Sequence, residues 1–273
     1  MAQSMPVLVA PAAIAGLRAP VVAAAIGRGL ERAGVAPPDL CPVAGGGRGT
    51  SEVLLPALGG ETGDGFALIE DGGTAIVELG PDGRATGGRI ARALDAGAQV
   101  VLVAAGASGE TGGGAGGVEA IEQGGGLRGA ALVVLCETRA AWTGRADALR
   151  RDPRGVAMTA AGGGLAGVLW ARYDAQLVAG PAFVLEQLGF DTRMRAARAV
   201  VAGETRLDRG TLAGRVAGEV AIRARQAGVP CHAVAACNAL SAFDVRILDL
   251  QAIVEGATIA ELEAAGERLA QYL

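Results

Sequence analysis

The stretch GASGETGGGAGG at residues 106–117 is the densest candidate for chemistry in the sequence. Glycine lets a backbone approach a ligand closely, so Gly106 and its neighbours can bring N–H groups to an anion, and Ser108 and Thr111 add hydroxyl donors. The stretch contains no GxxxxGK[ST] pattern and does not fit a dinucleotide-binding fingerprint cleanly, so a flexible surface turn is the alternative. The missing residue types narrow the chemistry further. All 24 basic residues are arginine, which excludes a Schiff-base lysine, a P-loop lysine and a protein-kinase ATP lysine. His232 is the single histidine, so a multi-histidine metal site is impossible and any Ser-His-Asp triad would have to use it. Its apolar surroundings favour a strand histidine satisfied by a backbone partner over a general base. Cys41, Cys136, Cys231 and Cys237 lie far apart with no Cys-x-x-Cys spacing, which reads as buried, reduced thiols rather than zinc ligands.

Several elements must position these groups. Residues 6–10 (PVLVA), 99–104 (QVVLVA), 131–136, 199–202, 231–235 and 245–249 read as buried strands. Pro20 opens a helix that runs to about Ala33 and ends at Gly34. A short helix starts at Ser51, residues 66–70 and 74–79 flank Asp71-Gly72-Gly73 as a hairpin, and further helices span 89–96, 162–173, 180–188, 211–226 and 258–273. Residues 203–210 read as a loop. Strands that are apolar on both faces and spaced by helices predict an α/β fold with a largely parallel sheet. In such sheets ligands bind beyond the carboxyl ends of the strands. Polar or glycine-rich loops follow Val43, Ala104 and Ala202, each ahead of a helix, where backbone N–H groups favour phosphates and carboxylates.

With 273 residues, 51% of them hydrophobic, the chain is long enough for one large or two modest domains. Its formal net charge of -4 gives no basic footprint, so nucleic acid is not an expected partner. No apolar run approaches a membrane span and no secretory signal opens the chain, which makes the cytoplasm the expected location.

The order of the loops carries a resemblance. The segments VLVAPAAIAGL (7–17), AGGGRGT (44–50), VAAGASGETGGGAG (103–116), LCETRAAW (135–142), AAGGGLAGVL (160–169), VLEQLGFDTRMRAARAVVAGETRLDRGTLAGR (184–215) and VPCHAVAA (229–236) resemble the bacterial glycerate kinase family, the two-domain α/β type. The resemblance implies a discontinuous Rossmann-like domain, residues 1–60 plus 197–273, with a shortened α/β domain inserted at 61–196. It also implies ATP-dependent phosphoryl transfer to glycerate with magnesium. The GETRLD run keeps Glu204, Arg206 and Asp208 of the family pattern, and Thr211 matches, while Arg215 stands where lysine is usual. Elsewhere the chain departs. Ala12 and Ala15 replace an aspartate and a lysine, Gly45 and Arg48 replace two acids, and Glu110, Thr111 and Gly112 fill a Thr-Asn-Asp position. The chain is a shortened, divergent member on this resemblance, chiefly between Gly117 and Ala160.

Phosphoryl transfer needs positive charge on the phosphates, a positioned acceptor hydroxyl and usually a carboxylate as base or metal ligand. Carried over by resemblance, Asp208, Glu204 and Arg206 are the candidate catalytic residues. Gly106, Ser108, Thr111, Thr211 and Arg215 are the candidate substrate- or nucleotide-binding residues, and metal ligands are unassigned. Arg206 as a structural clamp on Glu204 or Asp208, and Asp208 as a helix cap, stay open beside those roles. A repurposed site would need Arg48, Glu110 and Arg139 to converge. The alternative from another class is a non-catalytic homologue that binds a small anion, a nucleotide or a protein partner. Trp142 and Trp170 are read as packing residues rather than base-stacking platforms.

Overall fold

The structure is a computed structural model that describes residues 5–70, 72–107, 114–144 and 149–273. The chain separates into two compact units, Met1–Ala44 with Leu185–Leu273, and Gly45–Val184. The first unit opens with β1 (Val7–Pro11), α1 (Ala19–Arg32) and the short β2 (Asp39–Leu40). The second holds α2 (Thr50–Leu58), β3 (Gly60–Thr62), β4 (Ala67–Ile69), β5 (Thr74–Glu78), α3 (Gly83–Asp95), β6 (Val100–Gly106), α4 (Ala115–Gln123) and β7 (Ala131–Cys136). It continues through a 3-10 turn, Ala161–Gly164, into α5 (Leu165–Tyr173) and β8 (Gln176–Ala179). Helix α6 (Gly180–Gln187) leads the chain back. The first unit then resumes with α7 (Phe190–Arg195), β9 (Ala199–Leu207), α8 (Arg209–Leu212), α9 (Val216–Ala227), β10 (Cys231–Asn238), α10 (Ala242–Leu248), β11 (Leu250–Glu255), α11 (Ile259–Leu269) and a closing 3-10 turn, Ala270–Tyr272.

In the first unit five parallel strands lie in the order β2-β1-β9-β10-β11. Counted within the unit, this is the doubly wound order 2-1-3-4-5, whose direction of winding reverses between its first and third strands. One face of the sheet, carrying Val7, Val9, Val201 and Val234, packs on Val22 and Ile26 of α1 and on Leu262 and Leu269 of α11. Pro20 sits in the first turn of α1, and Gly34 turns the chain out of it at φ +85°. The two helices cross at glycines. A Cβ on Gly29 would collide with the Glu263 carbonyl oxygen, and one on Gly266 with the Ile26 carbonyl oxygen. Glu263 takes Arg28 and Arg32 at the rim of this crossing.

The second unit is a mixed six-stranded sheet in the order β3-β4-β5-β6-β7-β8. Its first three strands are antiparallel and the rest parallel. Val77, Val101, Val103 and Val134 of the sheet bury themselves with Ile90 of α3, Ile121 of α4 and Leu165 and Leu169 of α5. Among the described residues no helix is long and apolar enough to cross a membrane.

Three expectations about elements are corrected. Residues 203–207 are not a loop but the second half of β9, paired with β10 from Gly203↔Val234 to Leu207↔Asn238. The helix expected over 211–226 is two helices separated by Gly214, whose φ of +100° ends α8 and lets α9 start. Residues 245–249 are not a strand. Ser241 and Asp244 form a reciprocal capping box that starts α10, and β11 begins only at Leu250.

Candidate functional site

The site begins where the sheet order of the first unit reverses. There β1 and β9 lie side by side, in register from Val7↔Ala199 to Pro11↔Gly203, and their carboxyl ends are where open α/β sheets take their ligands. The β1 loop is tied to β9. The Ala12 N–H donates to the Gly203 carbonyl at 2.8 Å. Ile14 and Leu17 then bracket a tight turn in which Ala15 (φ +49°) and Gly16 (φ +84°) are both left-handed. Thr205 holds this turn in place. Its Oγ1 accepts from the Ala15 N–H at 3.1 Å and donates to the Ala13 carbonyl at 3.2 Å.

Side chains alternate along a strand, so Glu204 and Arg206 share one face of β9 while Thr205 takes the other. Glu204 is buried, and its Oε2 accepts from the buried Thr211 hydroxyl at 3.1 Å. The same Thr211 Oγ1 accepts from the Asp208 N–H at 3.2 Å. Asp208 caps α8 through Oδ1, which accepts from the Gly210 N–H at 2.7 Å. Two guanidinium groups flank that carboxylate: Arg215 Nη1 donates to Oδ1 at 3.2 Å, and Arg206 Nε lies 3.3 Å from Oδ2. Arg206 Nη1 also donates to the Cys237 thiol at 3.3 Å. The cap and the clamp weighed for Asp208 and Arg206 are therefore both present. The sequence-derived residues Glu204, Arg206, Asp208, Thr211 and Arg215 form one connected network.

Two further residues were missed: Cys237, which joins this network through Arg206, and Thr205, which ties the β1 loop to the other face of β9. The signal for Thr205 was available only if β9 had been extended through the polar run, since the two-residue period then separates it from Glu204 and Arg206. Cys237 reaches Arg206 through strand pairing, Arg206↔Cys237. It is also the exception to the expectation of four buried thiols, being only half-buried, whereas Cys41, Cys136 and Cys231 are buried. Burial pushes those three thiols up, Cys41 to about 11 and Cys136 and Cys231 to about 12, so they stay protonated.

The network does not form a resident metal site. Among the described residues no three His, Cys, Asp or Glu side chains are grouped to hold a metal ion. Both Asp208 oxygens face cationic or N–H donors, and Glu204 already takes the Thr211 hydroxyl. This donor set does not fit a bound magnesium ion.

In the second unit the loop ahead of α2 lies flat on neighbouring backbone. The Gly106 N–H donates to the Gly46 carbonyl at 3.1 Å. A Cβ on Gly46, whose φ is +86°, would come within 2.7 Å of the Gly180 Cα. Glu137 Oε2 accepts from the Ala107 N–H at 3.2 Å, and its carboxylate fills the space that a side chain on Gly45 would need. The start of α2 is already served by a carboxylate of this chain. Glu78 Oε1 accepts from the Gly49 N–H at 3.1 Å, the Ser51 N–H at 3.0 Å and the Ser51 hydroxyl at 2.7 Å. Of the glycine-rich candidates, Gly106 closes β6, while Ser108, Thr111, Glu110 and Gly112 lie outside the described residues. Arg48 and Arg139 are both exposed.

Trp142 packs on Gly164, where an added Cβ would sit 2.9 Å from its ring, and Trp170 carries the Arg151 guanidinium 4.0 Å from its ring centre. His232 lies on β10 and is buried, but among the described residues neither ring nitrogen has a hydrogen-bond partner, which corrects the expected backbone bond.

The model of the Glycerate kinase family matches residues 126–273, more than half of the chain. The chain belongs to that family. A crystal structure described as glycerate kinase 2 from Salmonella typhimurium LT2 superposes with a TM-score of 0.73 at 22% identity, over 99% of this chain and 98% of that one. At that identity the likeness shows the glycerate kinase fold alone. A carbohydrate transporter from Acidothermus cellulolyticus 11B, solved with myo-inositol, aligns at a TM-score of 0.18 and 12% identity over 98% of this chain and 86% of that one, too low to carry any argument. Among curated proteins none matches this chain.

Proposed function

We propose that this glycerate-kinase-family chain transfers the terminal phosphoryl group of ATP to glycerate, at a rate well below what a full complement of charged groups would allow. The observation that supports this reading is the Arg206–Asp208–Arg215 cluster at the carboxyl ends of β1 and β9. Arg206 and Arg215 bind the anionic substrate, because a guanidinium fork matches a carboxylate or phosphate in a bidentate way. Asp208 takes the proton of the acceptor hydroxyl as that oxygen bonds to the terminal phosphorus and the bond to ADP breaks. Glu204 and Thr211 hold Asp208 in place. The nucleotide's own phosphates carry the magnesium. Methyl groups at Ala12 and Ala15 leave those two positions of the β1 loop without charge. A preorganised charged group at such a site is worth about 10²–10³ in rate, so a slow enzyme is the expected consequence.

The test is Asp208→Asn. Asparagine caps a helix about as well as aspartate, so thermal unfolding should stay near wild type. ATP-dependent glycerate phosphorylation should fall by about 10²–10³. Unchanged turnover in a folded variant removes Asp208 from the chemistry. A second reading, a non-catalytic binder of an anion or nucleotide, is favoured by the number of donors already spent on the two Asp208 oxygens. It predicts stabilisation by Mg-ATP or glycerate with no product formed by the wild-type chain.

A further inference from the structure

The amino-terminal edge of the first unit's sheet, opposite the site above, holds a second cleft. It has a volume of about 500 Å³ and is lined by Gly228, Val229, Pro230, His232, Asp249, Gln251 and Tyr272. His232 is 1% exposed, yet both of its ring nitrogens lack a partner among the described residues. Buried polar groups are nearly always paired, and an unpaired one costs about 1–3 kcal/mol. His232 lines the cleft beside Tyr272, another wall, whose ring lies 6.2 Å from the imidazole at a tilt of 31°. Tyr272 is 57% exposed, so it borders the opening. Asp249 and Gln251 form the polar side. The Gln251 amide donates to Asp249 Oδ1 at 2.8 Å and to the Asp249 carbonyl at 3.2 Å.

We propose that this cleft binds a small planar nitrogen base, an amidine or amino-substituted aromatic, with its ring against Tyr272, its N–H groups on Asp249 and its polar edge on His232. Three features set that class. Asp249 is the only formally charged side chain among the lining residues, and no arginine lines the cleft, so an anion such as glycerate or a phosphate finds nothing to neutralise it. Gln251 spends its donors on Asp249, which leaves acceptor oxygens facing a ligand that donates. Burial holds the imidazole below its ordinary pKa, so it stays neutral and offers one donor and one acceptor beside a cationic guest.

His232 is the single histidine, which makes its ring nitrogens a one-residue reporter. Untagged protein labelled with 15N-histidine is titrated with three probes of one shape: benzamidine, benzamide and benzoate. Benzamidine should shift the His232 nitrogen signals saturably, benzamide should do so more weakly, and benzoate should leave them unchanged. Asp249 is left-handed (φ +55°), a conformation asparagine accepts, so Asp249→Asn keeps the fold and should weaken benzamidine by about tenfold. The proposal falls if no probe gives a saturable shift, which would leave water alone to satisfy His232. It falls equally if benzoate binds as well as benzamidine, or if Asp249→Asn leaves affinity unchanged.

Discussion

Thr211 shows how one hydroxyl can organise a site. It donates to Glu204 and accepts from the Asp208 backbone, so it fixes a buried carboxylate and a helix cap with a single oxygen. His232 is the opposite case, a buried polar group with nothing to hold. It shares a cleft with Asp249, the C-cap of α10, and with Tyr272 of the closing turn. Its folded pKa lies below the ordinary value of 6.5 because burial disfavours the imidazolium. Below about 6.5 the unfolded chain therefore binds a proton that the folded chain refuses. Stability should fall as pH drops through this window, by at most about 1.4 kcal/mol per pH unit for one proton. Urea unfolding between pH 7 and pH 5 should show the slope in wild type and lose that component in His232→Gln. Equal slopes in the two proteins would mean that His232 titrates normally. Glu204, Arg206 and Asp208 could be singled out in the sequence because the GETRLD run resembles a family pattern. The partners Thr205 and Cys237 could not, because they reach the site through a turn and through strand pairing.

At the scale of elements, the apolar cores of the strands were legible, and their polar ends were not. Glu204, Thr205 and Arg206 look like a loop in composition, yet backbone pairing to β10 continues through them. The strand expected at 245–249 was drawn from valine, isoleucine and leucine, while the Ser241–Asp244 box that decides for helix lay just upstream. Side-chain size is what the α1–α11 crossing tests most sharply. Because backbone oxygens stand where a Cβ would go, neither helix can relax around one without parting from the other. Gly29→Ala should cost about 1–3 kcal/mol despite alanine's better helix propensity, read as a lower urea midpoint. Gly266→Ala should do the same. The double variant should cost less than the sum, since a crossing already forced apart tolerates the second methyl. A neutral or stabilising Gly29→Ala would show that the helices do not approach this closely.

For the whole molecule, a ligand that binds only the folded chain raises its unfolding temperature by mass action. Mg-ATP or glycerate present at about 100 times its dissociation constant should stabilise by ~2.7 kcal/mol. Asp208→Asn should retain a response to Mg-ATP if the nucleotide is held elsewhere, and a thermal-shift series in both proteins decides this. No shift with either ligand would count against both functional readings. The doubly wound order has a further result, which concerns time. Of the two strands that flank β1, β2 follows at once but β9 lies far down the chain, Val7 pairing with Ala199. At roughly 5–20 residues per second, the β9 side of β1 stays unpaired for about ten to forty seconds. A fully apolar strand waits through the synthesis of an entire intervening body, and the window for chaperone capture or misassociation is written into the chain's own connectivity.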